Sequence, residues 1–248
     1  MQGAWAGYFT AIDEEGLKRY IRSGNSPIML LNDINITSEV VVENNKSVVI
    51  ELNGKTINRG LSSVAQYGHV FKILSGSSLT INGGGIIKNG GGIIKGGYTD
   101  HGGAINNAGT FILNGGTIRD NHSTNEGAGI WNHNGGIVII NGGVICQNYA
   151  KRGGGICNEA TLTINGGTIK ENEAAYGGGV CSSGTATITG GTITQNKSLG
   201  ENDRNCVGNG FFYESGTLNM SGNPVISGNL NGDNLFMSED KLNHLMGG

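Results

Sequence analysis

Proline is almost missing from this chain, 2 of 248 residues. The 47 glycines show no G-X-Y period, which excludes collagen. Charge is sparse too, at 14% of residues and a net of −3. No basic stripe stands out, so nucleic-acid binding has no electrostatic support. Runs of about 18 apolar residues, the length of a membrane span, are lacking. The segment from Met1 to Gly16 has neither a basic start nor an apolar centre, so it does not read as a signal peptide. Cys146, Cys157, Cys181 and Cys206 form no C-x-x-C pair, which leaves a zinc site unsupported. Disorder is excluded by what remains, because Ile and Val recur in short regular runs that can be buried.

What is present is a repeat. Gly102-Gly103-Ala104-Ile105 returns as Gly127-Ala128-Gly129-Ile130, Gly153-Gly154-Gly155-Ile156 and Gly177-Gly178-Gly179-Val180, at steps of 25, 26 and 24 residues. A second signature follows each at Asn114-Gly115-Gly116, Asn141-Gly142-Gly143, Asn165-Gly166-Gly167 and Thr189-Gly190-Gly191. A third, I-x-x-N, ends at Asn121, Asn148, Asn172 and Asn196. Fixed order at a fixed period is the mark of a solenoid. Each period holds three short runs of β type, such as Gly155–Asn158, Thr161–Ile164 and Thr168–Lys170, separated by glycines that permit the corners of a triangular coil. One coil cannot bury its own apolar face. Stacking coils about 4.8 Å apart pairs each strand with its counterpart above and below.

The expected fold is therefore all-β, a right-handed, single-stranded parallel β-helix. Its inward columns are Ile105/Ile130/Ile156/Val180/Phe211, Leu113/Ile140/Ile164/Ile188/Met220 and Ile118/Ile145/Ile169/Ile193/Ile226. Asn121, Asn148, Asn172, Asn196 and Asn229 should stack as an amide ladder. Thr10 to Ser23 reads as an amphipathic helix with Leu17, Tyr20 and Ile21 on one face, acids at its start and Gly24 as its stop. It would cap the first coil. The division expected is a cap in 1–27, a β-helix of about seven coils in 28–229, and a C-terminal cap or truncated coil in 230–248. Insertions are read at Gly83–Ile94, as a partial duplication, and at Ser198–Val207.

At these residues the chain resembles known families. The helix followed by Ile28–Ile34 and Leu52–Ile57 looks like the opening of pectin-lyase-like β-helix domains. The repeats resemble those of bacterial surface proteins, both gut Gram-positive adhesin-like proteins and chlamydial polymorphic membrane proteins. The latter carry G-G-[AG]-[ILV] and F-x-x-N; here Ile takes the Phe place, as in Ile169-Lys170-Glu171-Asn172. The resemblance spans Ile28 to Asn229 and implies fold more strongly than activity.

Enzymes of such folds place carboxylates with Lys or Arg on an outward strand face. The outward column Asn106, Trp131, Cys157, Cys181, Phe212 contains no acid or base. Variety is concentrated between each I-x-x-N and the next glycine run. Tyr98, Asp100, His101, His122, Glu126, Tyr149, Arg152 and Tyr176 should gather there into a mixed polar and aromatic strip of loops. Aromatic rings beside charges suit sugar or protein contacts. Asp100, His101 and His122 lack a recognised metal-ligand spacing, and no cofactor is expected. Cys157 and Cys181 stand one coil apart, as a staple or as free thiols.

The leading expectation is a non-catalytic surface module, adhesin-like or a stalk, monomeric, cut from a larger exported protein and presenting loops to a glycan or protein. A carbohydrate-active enzyme with its site in Ser62–Asp100 or Ser198–Val207 is the alternative. Ice binding through Thr110, Thr161, Thr185 and Thr217 is disfavoured by Ile137 and Ser78, which interrupt that column.

Overall fold

The computed structural model describes residues 7–83, 92–199, 208–230 and 234–237. Within them the chain is a parallel β-helix of four sheets, every strand pair parallel. One turn shows the path. Thr161–Ile164 lies in sheet I, Thr168–Lys170 in sheet II, Glu173–Tyr176 in sheet III and Val180–Ser182 in sheet IV, before Thr185–Ile188 returns to sheet I. Sheets I to IV hold nine, eight, five and eight strands.

The three inward columns stack in the expected register. Most of their residues are fully buried in one continuous apolar core. At the C-terminal end Met220 is 44% exposed, so the last coil no longer shields it. The expected three strands and triangular coil are corrected to four strands. The segments expected as loops, Tyr98–His101, His122–Glu126, Tyr149–Arg152 and Glu173–Tyr176, are the strands of sheet III. With the fifth strand, Lys197–Ser198, the inward side chains of sheet III are Thr99, Ser123, Ala150, Ala174 and Ser198, all buried. Such small residues show no apolar periodicity, which hid the strand.

The asparagine ladder is present. Asn121, Asn148, Asn172 and Asn196 each donate from Nδ2 to Oδ1 of the next, at 2.9–3.0 Å, as far as Asn229, which in turn donates to Asn234 Oδ1 at 3.1 Å. The same oxygens accept the backbone N–H of the preceding ladder residue. This satisfies a corner where Asp120, Gln147, Glu171 and Gln195 all sit at φ near +55°. A second buried ladder, Asn107–Asn132–Asn158–Ser182, joins sheet IV to sheet I. A third, exposed, runs Asn82–Asn114–Asn141–Asn165–Thr189.

The helix is Glu14–Ser23, shorter than expected. Thr10 belongs instead to the strand Phe9–Ala11, which pairs with Ile28–Leu30 at the edge of sheet I. Asp13 caps the helix by accepting the Gly16 N–H at 2.8 Å, and Gly24 ends it at φ +73°. Leu17 and Ile21 are buried in the common core. Glu14 ties the first turn to the solenoid through Lys18, Thr37 and Ser38. Most of both expected insertions, and of the segment Asn231–Gly248, lies outside the described residues.

Candidate functional site

The outer faces of sheets I and II carry mostly Thr, Ile and Val. Thr161 and Thr163, then Thr185 and Thr187, face outward in sheet I, and Thr168 and Lys170, then Thr192 and Thr194, in sheet II. Sheet IV differs. Its outward column reads Val41, Lys72, Asn106, Trp131, Cys157, Cys181, Phe212, Phe236. The sequence expectation treated this face as apart from the varied strip. The structure joins them, because the last residue of each sheet III strand leans onto sheet IV.

Those last residues are His101, Glu126, Arg152 and Tyr176, stacked in register. His101 stacks on Trp131 at 4.7 Å between ring centroids, and Tyr176 packs against Phe212 at 6.0 Å. On the other side of the floor stand His133, Glu159 and Glu214, each directly after its sheet IV strand. His133 stacks on Trp131 at 3.6 Å, and Trp131 Nε1 donates to Glu159. Arg152 forms an ion pair with Glu214 and also approaches Cys181 Sγ at 3.8 Å. His101 pairs with Glu126. A groove of about 530 Å³ lies along Asn125, Glu126, Lys151, Arg152, Tyr176, Phe212 and Glu214.

The remaining candidates lie elsewhere. Tyr98, His122 and Tyr149 occupy the first position of successive sheet III strands; Tyr98 stacks on His122 at 4.2 Å, and Tyr149 packs against His122 at a tilt, 4.6 Å away. Burial lowers the His122 pKa. Asp100 is exposed and accepts from Thr124. The eight residues expected as one strip thus divide into an aromatic cluster of three beside sheet II, a groove wall of four beside sheet IV, and Asp100, which belongs to neither.

Sequence reasoning missed a buried relay at the N-terminal end of the same face. His69 Nδ1 faces the Gly102 carbonyl at 3.0 Å. A carbonyl only accepts, so the proton sits on Nδ1 and Nε2 is free to accept from Asn106 Nδ2 at 3.2 Å. Asn106 Oδ1 then accepts from His133 Nε2 at 2.8 Å. Burial holds the His69 pKa down at about 4, against the pull of its bond to Gly102, and lowers His133 as well. Glu39 Oε2 lies 3.8 Å from His69 with no hydrogen-bond partner among the described residues. Burial raises the Glu39 pKa, opposed by Lys72, Arg59 and Lys18. Glu39, His69 and Asn106 come from coils of unequal length, so no fixed spacing announced them.

No family model, curated protein or solved structure matches the chain. The chemistry must be read from the groove alone. Among the described residues, no cluster of three or more His, Cys, Asp or Glu could hold a metal, and no helix is long and apolar enough to cross a membrane. Lysine, arginine and carboxylates line the groove beside aromatic edges. That combination can hold a polar ligand by hydrogen bonds while covering one of its apolar faces.

Proposed function

We propose that this chain is a non-catalytic binding module, adhesin-like or a stalk, exported as part of a larger cell-surface protein and presenting the sheet IV groove to a glycan or a protein. The observation that carries this reading is the contrast between faces. The outer faces of sheets I and II carry mostly Thr, Ile and Val with Arg119 and Lys170, while sheet IV gathers Trp131, Tyr176, Phe212 and Phe236 with charges along both walls. Aromatic anchors surrounded by charge are the usual composition of binding hot spots. The groove's carboxylates are engaged, His101 with Glu126, Trp131 with Glu159 and Arg152 with Glu214, which favours holding a ligand over moving a proton.

The test is a glycan and host-protein array, followed by variants against whichever ligand it returns. Trp131→Ala and Tyr176→Ala should each weaken binding at least about tenfold, as loss of an anchor of about 1.4 kcal/mol or more does. Tyr149→Ala, in the separate stack, should leave binding within about twofold. The opposite pattern would move the site to the Tyr98–His122–Tyr149 cluster. The buried Glu39–His69–Asn106–His133 group favours a second reading, a carbohydrate-active enzyme of pectin-lyase-like fold working at the N-terminal end of this face. Turnover of a polyuronate or other glycan, lost in His69→Gln, would establish it over binding alone.

A further inference from the structure

Cys157 and Cys181 are direct partners in adjacent strands of sheet IV, and both side chains face outward. Parallel strands stand about 4.8 Å apart, inside the Cα range of about 4.4–6.8 Å that a disulfide spans without moving backbone. Both are free thiols, and the neighbouring Cys181 is the first cause of the raised Cys157 pKa. They are only 2% and 1% exposed, although they lie on the outside of the solenoid. What covers them is the groove itself. Arg152 from one wall and Glu214 from the other pair across the floor, and the Arg152 guanidinium rests 3.8 Å from Cys181 Sγ.

A leucine or valine would fill such a place without sulfur chemistry. Above and below in the same column stand the large side chains Trp131 and Phe212. At the two cysteines the Arg152 guanidinium lies against the floor. A guanidinium beside a sulfur stabilises the thiolate that reacts with peroxide.

We propose that Cys157 and Cys181 form a peroxide-oxidisable dithiol, with Cys181 the sulfur oxidised first, Cys157 the resolving thiol and Arg152 the positioning cation. The covering ion pair excludes bulky disulfides, so the oxidant is hydrogen peroxide. Cys181 sulfur attacks one peroxide oxygen, the O–O bond breaks, and the product is Cys181 sulfenic acid with one water. Cys157 sulfur then displaces the sulfenic oxygen, forming the S–S bond and releasing a second water. The two sulfurs lose two electrons and two protons, and peroxide is reduced to two waters. The order of attack fits the environment, since the neighbouring Cys181 and then burial raise the Cys157 pKa and keep it a thiol. The product would staple two neighbouring coils at the centre of the groove floor.

The experiment uses the full chain carrying Cys146→Ser and Cys206→Ser, leaving only the pair. Hydrogen peroxide should lower the intact mass by two hydrogens, remove both thiols from maleimide labelling in denaturant, and yield one peptide pair linked through Cys157 and Cys181. A thiol reductant should reverse all three. With Cys157→Ser the reaction should stop at a sulfenic acid on Cys181 that dimedone traps once the chain is opened in denaturant. Arg152→Gln should slow oxidation at least about tenfold, and Arg152→Lys should restore most of the rate. Should the double serine variant not fold, the peptide map of the unsubstituted chain answers the same question. Two thiols still fully labelled after peroxide that oxidises free cysteine, or linkage only between separate molecules, would overturn the proposal. Equal oxidation of Arg152→Gln and the parent would remove the role of Arg152 alone.

Discussion

Asn172 shows how much one side chain can carry here. Its Oδ1 accepts from both the backbone and the side chain of Asn148, while its Nδ2 donates to Ile145 O and Asn196 Oδ1. Every one of these groups is buried. Asn172→Ala leaves a buried N–H and a carbonyl without partners, so it should cost about 1–3 kcal/mol. The drop is read from the midpoint of chemical denaturation; an unchanged midpoint would refute the ladder as a source of stability. The ladder was legible because its asparagines follow Ile at a constant offset. The equally buried series Asn107, Asn132, Asn158 was in plain view but ends in Ser182, and the change of residue type concealed it. His69 and Glu39 could not be found from spacing, because their partners come from irregular coils.

Among the elements, the helix and sheet III mark the limits of pattern reading. The helix was visible through its acidic start and terminal glycine. Its first turn was placed too early because Phe9–Ala11 is equally apolar and is claimed by sheet I. Sheet III was read as loops because its inward positions hold Thr, Ser and Ala. Its outward residues were still grouped correctly at His101, Glu126, Arg152 and Tyr176, since the repeat period alone sets their register. The helix should also respond to acid. Burial would raise the Glu14 pKa, but bonds from Lys18, Thr37 and Ser38 outweigh it and lower it to about 2. A carboxylate held below its unfolded value near 4.5 adds stability above that pH and loses it as pH falls toward 2. Glu14→Gln should therefore destabilise the protein at pH 7 and match the parent near about pH 2. Denaturation midpoints at the two pH values check this; an equal deficit at both would mean that Glu14 acts through shape and not charge.

The whole molecule is a one-dimensional stack in which each coil touches only its neighbours. Gly153 and Gly177 hold the same corner, at φ +59° and +63°. Removing residues 154–177 joins Gly153 to Gly178 and brings Asn148 beside Asn196, with every sheet kept in register. The shortened chain should fold as a monomer with the same β-rich circular dichroism and a lower melting temperature. Aggregation or loss of the β signal would show that the coils are not interchangeable. The stacking also has a mechanical side. Strand hydrogen bonds run along the axis, so a pull on the two ends loads each joint between coils in series, while the strands of one joint share the force side by side. Sheet III ends at Lys197–Ser198, whereas sheets I, II and IV continue for another strand among the described residues. Sheet III also begins only at Tyr98–His101, so among the described residues joints toward both ends bear their load on three strands where the central ones use four. Under tension the rod should give way toward its ends first, and the aromatic groove, seated mostly on four-stranded joints, would stay intact after an end has yielded.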